Sequence, residues 1–188
     1  MNARLIFISL CFVYNCLFSF SQVFFRPRDD MKAHLIQLIQ EERFSIDATV
    51  YMLTDKSIAQ ELLNAYIRGV KVRLVLDQIS MGEKYGKGLW LQQSGIPVFV
   101  HQAVSLNPFC MPIMHHKFFI FGFNSRLHCG LAWTGSFNCT ASASRLHDEN
   151  AIVTDDTHVI AEYKQCFTML MQRLSAHRYF EFEDESYE

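Results

Sequence analysis

Two short segments of the sequence could supply the side chains for an attack on a phosphate ester. The first contains His115 and Lys117, which are separated by one residue. An imidazole can act as a nucleophile or proton carrier near neutral pH, and an ammonium group provides a fixed positive charge. On a strand, the period of two places both side chains on one face and His116 on the opposite face.

The second segment is Thr134-Gly135-Ser136-Phe137-Asn138, and Glu149 follows it. Ser136 and Asn138 supply a hydroxyl and a carboxamide, which can donate hydrogen bonds to phosphoryl oxygens. The carboxylate of Glu149 could bind the far nitrogen of the His115 ring and fix its tautomer, as the acid of a triad does. Each group alone is common in turns or on surfaces. Together, on neighbouring strands, they predict attack on a phosphate diester without a metal ion.

The apolar pattern predicts the elements that position these groups. From residue 23 to residue 101, short apolar runs alternate with amphipathic segments, which predicts parallel strands joined by right-handed crossovers. The runs are apolar almost throughout, as expected for a sheet that is covered on both faces. Residues 117–121 and 130–134 predict a hairpin, and residues 157–174 predict a closing helix. The predicted fold class is α/β, with a mixed, largely parallel sheet sandwiched between helices.

Local signals predict where the helices begin. Pro27 is expected to open the first helix, with Asp29 and Asp30 in its first turn, where negative charge is stabilised. Thr54 is expected to be the N-cap of the second helix. Residues 83–94 are expected to form a third helix that is interrupted by glycines.

Composition narrows the class of protein. Half of the 188 residues are hydrophobic, and 17 of them are Phe, which is enough for one domain with its own core. The net charge is -2, but Lys and Arg outnumber Asp and Glu by two once residues 1–21 and the acidic tail are set aside. This balance is not typical of a nucleic-acid-binding protein, although a local groove can be basic on a neutral protein.

The N-terminus is typical of a targeting segment. Arg4 is its only charge, residues 5–20 are almost wholly apolar, and Ser19 and Ser21 place small residues where a signal peptidase cuts. The apolar run is shorter than the ~20 residues of a spanning helix, which favours a cleavable signal over an uncleaved membrane anchor. We therefore predict three regions in an exported protein. They are a leader (1–21), a catalytic domain (22–178) and an acidic tail (179–188).

Six cysteines raise the question of disulfides. Two of them belong to the predicted leader, and the other four match no common zinc-binding spacing. An even number of cysteines in an exported chain permits disulfides, and buried free thiols are the alternative. The four cysteines of the domain are Cys110, Cys129, Cys139 and Cys166.

The two segments together resemble the phospholipase D superfamily, whose signature is H-x-K-x4-D followed by G-S-x-N. Residues 114–117, 134–138 and 149–150 are similar to its single-motif branch, which includes small secreted bacterial endonucleases and the mitochondrial cardiolipin hydrolase. Residues 50–54, residues 68–72 and Asp77 resemble the early strands and helices of that branch. The resemblance covers about residues 23–174 and implies a phospholipase D-like fold.

The resemblance also implies a role for each residue. His115 would attack phosphorus and form a phosphohistidine, and Glu149 would orient its ring. Lys117 and Asn138 would bind the non-bridging oxygens, with Ser136 nearby. Family members use two such motifs and no metal ion or other cofactor. Because this chain has one motif, a twofold homodimer with both motifs at one interface is implied, in which the second imidazole protonates the leaving group and later activates water.

One position departs from the family pattern. Gly122 stands where the signature has Asp, and neither Asp nor Glu occurs between Lys117 and Asp148. The resemblance makes that Asp a supporting group, so its loss is expected to affect the rate and local order more than the type of reaction. A catalytically weakened module that binds nucleic acid or phospholipid is the alternative that follows.

The substrate is predicted to be DNA or RNA, because secreted single-motif relatives of this build are mostly nucleases. A phospholipid substrate, as for a cardiolipin hydrolase, is the alternative. It follows from the apolar residues 109–113 that precede the catalytic segment and could touch a membrane.

Overall fold

The computed structural model describes residues 19–102 and 112–184, with side chains up to residue 174. In this part of the chain, seven strands form one sheet and six helices accompany it. The strands are β1 (Ser21–Phe25), β2 (Ser45–Val50), β3 (Lys71–Asp77), β4 (Val98–His101), β5 (Lys117–Asn124), β6 (Cys129–Gly135) and β7 (Asn150–Thr154). The helices are α1 (Met31–Glu41), α2 (Lys56–Ile67), α3 (Gln78–Gly82), α4 (Gly88–Gln93), α5 (Ala141–Arg145) and α6 (Thr157–Asp184).

The sheet is mixed, with the strand order β1-β7-β6-β5-β2-β3-β4. Strands β2, β3 and β4 are parallel, as predicted. The other four pairings are antiparallel, so the expected largely parallel sheet is only partly matched. The reason is that β5 begins at the same edge where β4 ends and pairs with β2 from there, which forces it to run in the opposite direction. β1 likewise pairs with β7 instead of β2.

The sheet separates two hydrophobic cores, as the predicted sandwich requires. Phe119 and Phe121 of β5 are buried with Trp133 of β6 in the core that contains α1 and α2. Phe118 is buried on the opposite face, where its ring centroid lies 4.9 Å from that of Tyr163 in α6. Successive residues of β5 therefore serve opposite cores, which explains why this strand is apolar almost throughout.

Two helices begin later than predicted because an aspartate caps each of them. Asp30 accepts a hydrogen bond from the amide of Ala33, so α1 starts after Asp30 and not at Pro27. Asp55 accepts from two amides at the start of α2 and is the N-cap in place of Thr54. Aspartate is as good an N-cap as serine and better than threonine, and its charge favours the helix N-terminus.

The predicted helix over residues 83–94 is also corrected. Two short helices, α3 and α4, lie on either side of a non-helical segment. Gly86 in that segment passes so close to the carbonyl oxygen of Ser80 that a Cβ would overlap it. The chain therefore turns sharply at a position that only glycine can occupy.

The strand register brings the predicted site residues to one edge of the sheet, which we call the site edge. The opposite edge, the far edge, contains the other end of each strand. The site edge is formed by Phe25, Val50, Asp77, His101, Lys117, Gly135 and Asn150. The far edge is formed by Ser21, Ser45, Lys71, Val98, Asn124, Cys129 and Thr154.

The predicted leader and tail lie only partly within the described residues. Ser21, the last residue of the predicted leader, is the first residue of β1, and its hydroxyl lies 2.7 Å from that of Thr154. Helix α6 continues to Asp184, whereas the sequence predicted its end at Leu174. None of the helices in the described ranges is both long and apolar enough to span a membrane.

Candidate active site

His115 and Lys117 meet at the site edge. Lys117 begins β5 and is buried, while His115 lies just before the strand and is exposed. The Nζ atom of Lys117 is 3.2 Å from Nε2 of His115 and donates a hydrogen bond to its carbonyl oxygen at 2.9 Å. An ammonium group has only donors, so this contact is a hydrogen bond in the tautomer that presents the Nε2 lone pair to Lys117. That tautomer is the one that a nucleophilic Nε2 requires.

Tyr51 is a site residue to which sequence reasoning assigned no role. Its ring centroid lies 4.6 Å from that of His115, and Nζ of Lys117 lies 5.3 Å from the same ring. Its amide donates a hydrogen bond to the carbonyl oxygen of His116 at 2.9 Å. Tyr51 directly follows β2, and the pairing of Val50 with Lys117 brings it to the site. The contact depends on the pairing of β2 with β5, which the sequence does not show.

Ser136 and Glu149 form a second pair at the same edge. The hydroxyl of Ser136 donates a short hydrogen bond to the carboxylate of Glu149. The amide of Asn150 donates to the Ser136 hydroxyl oxygen at 3.0 Å, which fixes the hydroxyl between the end of β6 and the start of β7. Within a single chain, Glu149 is thus bonded to Ser136 and not to His115. Its predicted role in orienting the imidazole stays a prediction.

Asn138 has hydrogen-bonding capacity that the fold does not use. Its side chain is half-buried, and its Oδ1 atom is fully buried with no hydrogen-bond partner in the described part of the chain. Buried polar atoms are almost always paired, and exceptions are found at functional sites. Oδ1 can only accept a hydrogen bond, so the predicted contact to a phosphoryl oxygen would be made by the Nδ2 group of Asn138 and stays a prediction.

Burial and charge determine the electrostatics of this site. Burial lowers the pKa of Lys117 from its ordinary value, and the charge of Glu149 partly opposes this effect. Partial burial, together with the charges of Lys117 and Arg173, also lowers the pKa of His116. The ring of His116 lies 5.8 Å from that of Phe118, on the side of α6. This confirms that His116 points away from Lys117.

Gly122 lies far from these groups. At about 3.3 Å per residue, the five steps along β5 from Lys117 correspond to roughly 16 Å. A Cβ at Gly122 would come within 2.5 Å of the Ser45 hydroxyl oxygen and 2.9 Å of the Phe44 ring. The carboxylate of Glu42 is fully buried beside this position and accepts hydrogen bonds from the amides of Phe44, Ser45 and Phe123. A side chain at residue 122 therefore belongs to the far edge and cannot reach substrate at His115.

The described residues contain neither a metal cluster nor a disulfide. No group of three or more His, Cys, Asp or Glu side chains among them could hold a metal ion. Cys129, Cys139 and Cys166 are free thiols, and burial raises the pKa of each. Cys110 and the apolar residues 109–111 lie outside the described ranges.

The family model described as "Cardiolipin synthase, PLD-like domain" matches residues 35–171, a range that includes both halves of the site. The chain belongs to the phospholipase D-like family. The resemblance that was seen in the two short segments is thereby confirmed.

Relatives of this phospholipase D-like chain are similar over most of its length. Phospholipase D from Rickettsia prowazekii is 32% identical over 141 residues, which cover 75% of this chain and 62% of that protein. Mitochondrial cardiolipin hydrolase from Xenopus tropicalis is 28% identical over 144 residues, which cover 77% of this chain and 62% of that protein. The match thus spans less than two thirds of the length of these relatives.

Solved structures share the fold. NucT from Helicobacter pylori superposes with a TM-score of 0.72 at 22% identity, covering 82% of this chain and 97% of that one. Nuc from Salmonella typhimurium, a phospholipase D family member, superposes with a TM-score of 0.66 at 24% identity, covering 80% and 93%. The predicted phospholipase D-like α/β fold is confirmed.

Proposed function

We propose that this chain is a metal-independent phosphodiesterase that acts through a phosphohistidine at His115. The observation that carries the proposal is the contact between Nζ of Lys117 and Nε2 of His115, because it places the ring nitrogen that would attack phosphorus next to a positive charge. A phosphoryl group at this position exchanges that contact for bonds between its oxygens and Lys117. Family membership supports the reaction class.

The reaction has two balanced steps. In the first, the Nε2 lone pair forms a bond to phosphorus while the bond to the leaving oxygen breaks, and Lys117 and Asn138 stabilise the negative charge on the non-bridging oxygens. A general acid protonates the leaving oxygen. In the second step water, deprotonated by the same group, attacks phosphorus and releases Nε2. Glu149 and Ser136 hold one another at the same edge of the sheet.

The general acid is proposed to be the partner subunit's His115 in a twofold homodimer. One chain carries one such motif, and the reaction requires a second proton carrier. His115 is exposed at the site edge, where a second copy can approach it. Sedimentation of the parent protein tests the dimer. Mixing parent with His115→Ala subunits tests the shared site, since each mixed dimer would lose one of its two imidazoles and activity would fall faster than the parent fraction.

We propose a nucleic acid as the substrate. Basic and aromatic side chains border the site, as a phosphodiester backbone with stacked bases requires. The amide of Lys87 donates to the carbonyl oxygen of Leu53 at 2.9 Å, which places this basic segment, with Lys84 and Tyr85, near the residues that follow Tyr51. Tyr85 is exposed, and Nζ of Lys84 lies 5.5 Å from its ring. Export of the chain by its leader is part of the same proposal.

A phospholipid is the second candidate, and a specific observation favours it. Ile113 next to the catalytic segment is 45% exposed, and Leu89 in α4 is 50% exposed. Exposed apolar side chains beside a site suit a lipid surface. Two similar proteins are named for action on phospholipids, phospholipase D and cardiolipin hydrolase.

One experiment separates these candidates. Single-stranded DNA, RNA and cardiolipin vesicles are each incubated with parent protein and with His115→Ala in the presence of a chelator. Turnover of one substrate by the parent alone identifies the substrate class and supports the phosphohistidine. Binding without turnover of any of the three indicates a binding module, and a strict need for a divalent metal would count against the mechanism.

A further inference from the structure

A buried carboxylate holds the backbone of the segment that carries His115. Asp77 ends β3 at the site edge and is 0% exposed. Its Oδ1 atom accepts a hydrogen bond from the amide of Ile79 and caps α3. Its Oδ2 atom accepts from the amide of Met114 at 2.7 Å. Because Met114 immediately precedes His115, this bond ties the catalytic segment to the end of β3.

The same oxygen has a second neighbour. Nδ1 of His101, the residue paired with Asp77 on β4, lies 3.5 Å from Asp77 Oδ2. That nitrogen is buried and has no hydrogen-bond partner within the described ranges. Within those ranges, His101 also supplies the one basic side chain within 4 Å of this carboxylate. A carboxylate is costly to bury unless donors satisfy it, so the two amide hydrogen bonds, with the His101 ring beside them, make Asp77 a fixed acceptor.

We propose that Asp77, supported by His101, is a positioning residue that sets the location of His115 for attack on phosphorus. The amide before His115 is held by Asp77, and the carbonyl after it, that of His116, is held by the amide of Tyr51. Both sides of the nucleophile's backbone are therefore fixed, which leaves only its side-chain rotamer to adjust. This inference rests on the proposed function, and Asp77 itself does not contact substrate.

The test uses Asp77→Ser. Serine is a good N-cap and keeps the bond to Ile79, but its single hydroxyl cannot also reach Met114 and His101. We expect hydrogen exchange at the Met114 amide, measured by NMR, to accelerate at least about tenfold, because that amide loses its acceptor. We expect kcat to fall by about 10- to 100-fold with KM within about twofold, since a misplaced nucleophile slows chemistry more than binding.

A matched control is available at the far edge. Asp156 accepts hydrogen bonds from the amides of His158 and Val159 at the start of α6, so Asp156→Ser makes the same change away from the site. Equal Met114 exchange and equal kcat in Asp77→Ser and Asp156→Ser would overturn the proposal. If Asp77→Ser does not fold, Asp77→Asn, which is nearly the same size, is measured in the same way against Asp156→Asn.

The part played by His101 is tested in the same background. His101→Phe keeps the ring volume but removes the nitrogen that faces Asp77. If His101 acts through Asp77, adding His101→Phe to Asp77→Ser causes no further loss of kcat, whereas a fully additive loss contradicts the pairing. Should the parent show no diesterase activity, the proposed function fails, but the exchange rate at Met114 still decides whether Asp77 holds the segment.

Discussion

The two ends of strand β5 carry polar groups that are used in opposite ways. At the far edge, Glu42 is fully buried and its carboxylate is occupied by backbone amides. Asn124 is equally buried, and its Oδ1 atom accepts hydrogen bonds from two amides of the following turn. At the site edge, His115 is exposed and Asn138 has a buried oxygen without a partner in the described chain. The polar side chains of Glu42 and Asn124 are occupied by the fold, whereas the imidazole of His115 is left exposed for a ligand.

This contrast explains why the departure at Gly122 does not remove a group from the site. The family signature runs along the whole of β5, so its first residues lie at one edge and its last at the other. Lys117 is at the site edge, while Gly122 packs against Phe44 and Ser45 near the far edge. A supporting carboxylate is already present there, because Glu42 binds the amide of Phe123. Substitutions near the far edge can therefore change the packing of β5 without changing the groups that react at the site edge.

The largest expected effect is the loss of activity in His115→Ala. We expect kcat to fall by at least about 1,000-fold, because the variant lacks the nucleophile, while the free energy of unfolding changes by less than about 1 kcal/mol at this exposed position. His116→Ala is the control, since its ring faces α6, and its kcat should stay within about threefold of the parent. Comparable losses in both variants would show that the two rings have been assigned incorrectly.

The far edge should respond in the opposite manner. Glu42→Gln retains one acceptor oxygen but removes the charge that accepts the amides of Phe44, Ser45 and Phe123. We expect the free energy of unfolding to fall by about 1–3 kcal/mol, measured by urea denaturation, because buried amides lose their charged acceptor. Below the unfolding transition, kcat should equal that of the parent. A drop in kcat without a drop in stability would break the separation between the two edges.

Replacing Gly122 with the family's Asp should not raise the diesterase activity. Gly122→Asp places a Cβ against Ser45 and the Phe44 ring, so we expect a loss of about 1–2 kcal/mol in the free energy of unfolding. Gly122→Ala, which adds the same Cβ without a charge, should lose a similar amount. Neither variant should gain diesterase activity. A gain that is specific to Gly122→Asp would mean that the carboxylate acts on the site despite its distance.

The site contacts that could be predicted from the sequence are those between residues that are close together in the chain. The contact of His115 with Lys117 was predictable because a two-residue spacing is visible in the chain itself. Tyr51 and Asp77 were not, since their contacts depend on β5 lying beside β2 and on residue 114 crossing the end of β3. The direction of β5 was missed for the same reason, as apolar strands carry no mark of orientation.

Tyr51→Leu should have a moderate effect. The ring lies against both His115 and Lys117, and such contacts with an aromatic face are worth about 0.5–1.5 kcal/mol. We expect kcat/KM to fall by about 3- to 10-fold, measured with whichever of single-stranded DNA, RNA and cardiolipin the parent protein cleaves. Tyr51→Phe, which keeps the ring, should match the parent. If Tyr51→Phe loses as much as Tyr51→Leu, the hydroxyl and not the ring face is the contributing group.

The smallest expected effect concerns the pH dependence of stability. Burial lowers the pKa of Lys117 in the folded state, so the unfolded chain binds more protons at alkaline pH than the folded chain does. The free energy of unfolding should therefore rise with pH between the folded and the unfolded pKa of this lysine. In Lys117→Met that rise should vanish from urea denaturation curves, and at neutral pH the variant should be no less stable than the parent. In Glu149→Gln, which lacks the opposing charge, the folded-state pKa of Lys117 should be lower still, so the total rise should be larger. An identical pH dependence in parent and Lys117→Met would mean that burial of the Lys117 ammonium does not destabilise the folded state. The site edge would then not differ from the far edge in the free energy that its polar groups cost.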